Sequence, residues 1–111
     1  MPFIANPRRQ EIEKLGLTAC QDVGDICCVF YTHLVGAWKL EPRWKTAHRL
    51  YRDLVLDDSD ANLFFWHVCD TLQYKFELAD IRTALELAWQ VFFHEYVMVY
   101  EKQKEAEHGT I

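Results

Sequence analysis

The chain reads as an all-α protein: a compact bundle of four to five helices in a single domain, residues 1–111, closed by a long C-terminal helix. Three observations predict this. Neither glycine nor proline occurs between Arg43 and His108, which denies a strand-and-turn fold its turn residues. Apolar residues recur at i, i+3 and i+4 in successive segments. Half the residues are hydrophobic and 14% are aromatic, enough for one core in a chain of a length that folds without staples.

Residues 1–6 read as an N-terminal arm. Pro7 opens a short helix, because its fixed φ suits the first helical position. Gly16 ends it, and Ile12 and Leu15 must pack on something for so short a helix to persist. Asp22 or Asp25 caps a second helix over about 23–39. Its apolar face is Ile26, Val29, Phe30, His33, Leu34 and Ala37, widened by Cys27 and Cys28.

Pro42 is expected to open a third helix over about 42–56. At 100° per residue, Trp44, Ala47, Leu50, Tyr51, Leu54 and Val55 fill one side, and Lys45, His48, Arg49 and Arg52 fill the other. This is the cleanest amphipathic pattern in the chain, and its polar face is basic. The run Asp57–Asp60 combines a turn with an N-cap, its carboxylates suiting the positive end of a fourth helix over about 60–77. A loop near 77–79 then leads to Asp80 as N-cap of the last helix.

From Asp80 to Glu107 that helix would run roughly 28 residues, or about 42 Å. Its polar strip is Thr83, Glu86, Gln90, His94 and Glu101, with Ile81, Leu85, Ala88, Phe92, Tyr96 and Val99 opposite. Between Val91 and Tyr100, however, every residue except His94 and Glu95 is apolar. A helix apolar nearly all round must be covered nearly all round, which suggests a second chain. The rival reading of VFFHEYVMVY is a β-strand, from its β-branched and aromatic content. Beyond it the polar run EKQKEAEH projects into solvent, and 108–111 form a tail.

A net charge of −5 argues against general nucleic-acid binding, which needs a basic surface. The start MPFIANPRRQ lacks an apolar core, so no signal peptide is expected, and no apolar run is long enough to span a membrane. Without a secretory signal, Cys20, Cys27, Cys28 and Cys69 are expected as reduced thiols.

The chain lacks C-x-x-C and H-E-x-x-H. The repeated E-x-x-H of di-iron bundles is also missing. His67 and Asp70, at i and i+3, could share a ligand, though such a histidine more often simply hydrogen-bonds on its helix. G-x-S-x-G, the P-loop and G-x-G-x-x-G are absent too. No catalytic, cofactor or metal site is therefore expected. The basic set Arg43, Lys45, His48, Arg49 and Arg52 is the candidate anion or partner site, against the plainer alternative of a solvated face. Trp89, Phe92, Phe93, Tyr96 and Tyr100 are the candidate interface, because adjacent aromatics point about 100° apart and cannot all face one core.

The stretches MPFI (Met1–Ile4), Gly24-Asp25, Leu85-Glu86, Phe92-Phe93, Tyr100-Glu101, Lys104, Glu107 and Gly109 resemble a family of small phage-encoded proteins, also seen in prophage regions. The match is good over some 30 C-terminal residues, roughly a quarter of the chain, and loose elsewhere. Residues 42–77 form a longer middle than the family usually has. Val99 stands where the family has proline, so an expected kink is missing. The resemblance implies a phage gene product in the host bacterial cytoplasm and carries over no catalytic residues. Three functions fit that context. The first is a non-enzymatic, anti-CRISPR-like inhibitor that binds a host defence protein. The second is an oligomeric sponge for a nucleotide immune signal, and the third a virion structural or assembly component. The expected state is a homo-oligomer.

Overall fold

The structure is a computed structural model that describes residues 7–55 and 63–109, with side chains described over 10–55 and 63–105. The expected arm at 1–6, the Asp57–Asp60 turn and the last two residues lie outside the described residues. All regular structure among those described is helical: α1 (Pro7–Glu13), a 3₁₀ turn (Leu17–Ala19), α2 (Val23–Leu40), α3 (Trp44–Leu54), α4 (Leu63–Thr71), α5 (Leu78–Phe92), a π turn (Phe93–Val97) and α6 (Met98–Gly109). The last three form one continuous rod. No strand forms at VFFHEYVMVY.

The core is built on α2 against α5. Ile26, Phe30, Leu34 and Trp38 of α2 meet Ile81, Leu85, Ala88 and Phe92 of α5. Each pair within a helix is three or four residues apart, so one face of each helix is buried. Phe30, Phe65 and Phe92 are among the largest fully buried side chains; burying such a ring stabilises by about 1.5–3 kcal/mol. α4 closes one end with Phe64, Phe65 and Val68, and carries α1 through Ile12. α3 lies across the side, inserting Thr46, Ala47, Leu50 and Leu54.

Local chemistry explains most boundaries. Gly16 adopts φ 76° just beyond α1, the left-handed position that releases a helix end. Asp22 caps α2: its Oδ1 accepts from the Asp25 amide at 2.8 Å, while Asp25 Oδ2 accepts from the Gln21 amide at 2.9 Å. Two orphan amides are thus satisfied reciprocally.

Three boundaries differ from expectation. Pro42 does not open α3; it stands before an extended N-cap, Arg43. The residue before a proline is pushed out of the helical region, and Glu41 is at φ −150°, so Pro42 acts to stop α2. α4 ends at Thr71 rather than 77, because Gln73 and Tyr74 turn left-handed at φ 58° and 54°. The Tyr74 amide closes the turn on the Cys69 carbonyl at 3.1 Å, and Lys75 Nζ ties the following residue to the Thr18 carbonyl at 3.1 Å. Two non-glycine residues there cost roughly 1–2 kcal/mol each, offset by the complete burial of Leu72. Finally, α5 begins at Leu78 with Glu77 as cap, and Asp80 sits in its first turn.

The π turn changes the reading of the rod most. It inserts one residue into the helical repeat, so every later side chain is rotated by about 100°. A continuous α-helix would point Val99 at the core and Val97 away. Instead Val97 is fully buried and Val99 is 46% exposed. The smeared apolar pattern between Val91 and Tyr100 is therefore in part a buried stripe that changes phase. The turn also brings the Glu95 carboxylate to accept a hydrogen bond from the Tyr31 hydroxyl of α2, and sets Tyr100 edge-on to Trp38 at 5.3 Å. Beyond Tyr100, residues 101–105 are exposed as expected.

Candidate functional site

Of the five basic candidates, the structure separates three roles. Lys45, His48 and Arg52 lie exposed along the outer face of α3, opposite its buried Ala47, Leu50 and Leu54. Successive members are three or four residues apart, so they form one ridge. None makes an ion pair with a described residue. Arg43, at the N-cap, points its Nε to Glu41 Oε1 at 3.4 Å and is already answered. Arg49, four residues after Lys45 and three before Arg52, is exposed on the same face and also lines a groove against α2.

Beside the ridge stand two aromatics expected in the core. Trp44 is 43% exposed and Tyr51 37%. They are seven residues apart, two turns of helix, and so share one edge of α3. Tyr51 rests edge-on against Trp89 of α5 at 5.4 Å, which holds its ring in place while one side faces solvent. Arg52 lies beside Trp44 and Tyr51, and arginine and aromatic side chains are the types enriched at protein-binding surfaces. The amphipathic spacing of α3 signalled the ridge; no spacing signalled that α3 would leave Trp44 and Tyr51 uncovered.

The aromatics expected at an interface divide differently. Phe92 is fully buried and Trp89 nearly so, both within the chain's own core. Neither is available to a second chain, because α2 and α3 already cover them. Phe93, Tyr96 and Tyr100 are half-buried and pack against that core; Tyr96 stacks on Phe92 at 5.8 Å. The rod's exposed apolar side chains are instead Leu78, Leu87, Val91 and Val99.

The groove between α1, α2 and α3 has a volume of about 420 Å³. Glu11, Thr32, His33, Gly36, Ala37, Leu40, Glu41 and Arg49 line it. Its deepest polar contact is His33 Nε2 with Glu11 Oε1 at 3.4 Å, and the His33 side chain is only 13% exposed.

Cys20, Cys27 and Cys69 show no activated environment. Burial pushes Cys69 up to about 11, and burial also raises Cys20 and Cys27. Such groups stay protonated and unreactive near neutrality. Among the described residues no three His, Cys, Asp or Glu side chains gather as a metal site, and no helix is long and apolar enough to cross a membrane. No family model matches the chain, and no curated protein or solved structure matches it either.

Proposed function

We propose that this chain is a non-catalytic binding protein that docks through the outer face of α3 onto an acidic surface of a partner protein. The observation that carries the reading is the exposed ridge of Lys45, His48 and Arg52 beside the uncovered rings of Trp44 and Tyr51. In a chain of net charge −5, this face is where an acidic partner finds attraction while the rest of the surface repels it. The rings supply desolvated area, and the cations supply orientation and association rate.

In the context that the phage resemblance implies, the partner is a bacterial defence protein, which the chain blocks by occupying its surface in the host cytoplasm. The exposed strip of Leu87 and Val91, one turn apart on α5, supports self-association into a homo-oligomer. Val91→Glu should then lower the mass measured by light scattering at micromolar concentration. A wild type already monomeric there contradicts the oligomer.

The docking reading is tested by tagging the chain in infected bacteria, identifying the protein it retains, and measuring the purified pair by calorimetry. Affinity should fall as salt rises. It should fall by tenfold or more in Lys45→Glu/Arg52→Glu, an effect of about 1.4 kcal/mol or greater. Undiminished affinity in that variant rejects the α3 surface.

A further inference from the structure

α2 carries no charge along most of its outer side. Its inner face, Ile26, Phe30, Leu34 and Trp38, is buried against α5. At 100° per residue the opposite side is centred on Asp25, Thr32 and Lys39, each seven residues from the next and so nearly in line. All three are exposed, as are Cys28 and Gly36 beside them, and the half-buried Val29 and Val35 flank the line. From Ile26 to Trp38 the sequence holds no Asp, Glu, Lys or Arg. His33, within that stretch, turns toward Glu11 of α1 with 13% of its side chain exposed. A helix that meets solvent on its outer side carries charged residues there, as α3 does with Lys45, His48, Arg49 and Arg52. The line ends in opposite charges, Asp25 in the first turn of α2 and Lys39 in the last. Neither makes an ion pair with a described residue. Glu41, the acid nearest Lys39 in sequence, is met by Arg43 Nε at 3.4 Å. The helix dipole accounts for the signs at the two ends; it does not account for the uncharged turns between them.

We infer that the outer face of α2 pairs with the same face of a second copy, antiparallel about a two-fold axis at Thr32. Turned about Thr32, Asp25 meets the partner's Lys39, Cys28 meets the partner's Gly36, and Val29 meets the partner's Val35, each contact occurring twice. Asp25 and Lys39 lie about 10 Å to either side of the axis, so two ion pairs bracket an uncharged centre. A parallel pairing would set Asp25 on Asp25 and Lys39 on Lys39. This self-complementarity of charge singles out a second copy as the occupant. The Thr32 hydroxyl already donates to the Cys28 carbonyl at 2.9 Å, so covering it leaves no unpaired donor. The face lies on the side of α2 away from α5, apart from Leu87 and Val91 and from the ridge of α3. The pairing therefore stands or falls separately from the docking reading and from the α5 strip.

The test is the solution mass of the full chain carrying Val91→Glu, which takes the α5 strip out of the measurement. By light scattering and sedimentation equilibrium up to about 100 μM, this variant should have the mass of two chains. Adding Thr32→Glu puts two carboxylates face to face on the axis and should give the mass of one chain. Adding Lys39→Glu instead sets like charges at both ends and should weaken the pair by about tenfold or more. Asp25→Lys/Lys39→Glu exchanges the two charges and should recover pairing to within about threefold of the starting variant. Circular dichroism and thermal unfolding of each variant establish that the fold is kept. A single-chain mass for Val91→Glu at the highest concentration overturns the inference. So does a two-chain mass that survives Thr32→Glu, or a folded charge exchange that pairs no better than Lys39→Glu alone.

Discussion

α3 and α5 pack on the same core, yet they place their aromatic residues in opposite ways. α5 turns Trp89 and Phe92 inward, where they meet each other and Phe92 meets Trp38. α3 fills its share of the core with Thr46, Ala47, Leu50 and Leu54 and leaves Trp44 and Tyr51 at the edge. α5 thus works for the fold. The cations of α3's outer face make no ion pair with a described residue, and on the proposed reading they and the exposed ring edges serve binding. Damage to α5 should appear as lost stability, and damage to α3's outer face as lost binding in a folded protein.

The sharpest way to break the α5 side is to change its length. Deleting Glu86 rotates everything before it by 100° relative to everything after it. The buried stripe of α5 would split, at a cost above about 4 kcal/mol, the level of severe core disruption; circular dichroism should show no cooperative unfolding. Deleting His94 should be far milder, because removing one residue from the π turn restores an ordinary helical turn and keeps Val97 inward. If both deletions are equally harmful, the phase-shift account of the rod is wrong.

Phe92→Ala leaves a cavity beneath Trp38 and Tyr96 and should cost about 3–5 kcal/mol in urea unfolding. A smaller cost, about 1 kcal/mol, is expected for Asp22→Ala, which removes the α2 cap. The smallest effect concerns the contact that the π turn creates. The Tyr31 hydroxyl donates to Glu95, and this raises Tyr31 to about 12 from an ordinary value of 10.0. The hydrogen-bonded, protonated phenol is the favoured form. Its contribution to stability is therefore complete below pH 10 and is lost as pH rises from 10.0 toward about 12. The difference in phenolate absorbance between wild type and Tyr31→Phe should develop near pH 12; development near pH 10 would mean that the hydrogen bond does not form in solution.

Much of this architecture is legible in the residues themselves. Helical class follows from the missing turn residues and the 3.6-residue pattern, and the start of α2 follows from Asp22; Pro42, expected to open α3, stops α2 instead. Two features resist reading for physical reasons. The turn at Gln73 and Tyr74 carries no glycine, so nothing local marks it; Leu72 burial and the Lys75–Thr18 contact decide it from a distance. The π turn hides because one inserted residue makes a two-phase stripe look like a helix apolar all round. The basic ridge is visible from spacing alone. Its division from Arg43 is not, since that depends on where Glu41 lies. Nor is the exposure of Trp44, which depends on which side of α3 meets the bundle.

On the proposed reading, α3's outer face binds a partner and does not hold the fold. The most direct test is the binding isotherm of Lys45→Glu/Arg52→Glu against the purified partner, taken on protein whose thermal midpoint has been measured. Stability should stay within about 0.5 kcal/mol of wild type, as for surface substitutions, while affinity drops by about tenfold or more. An isotherm that overlays the wild type, from a variant that is folded, would contradict the account.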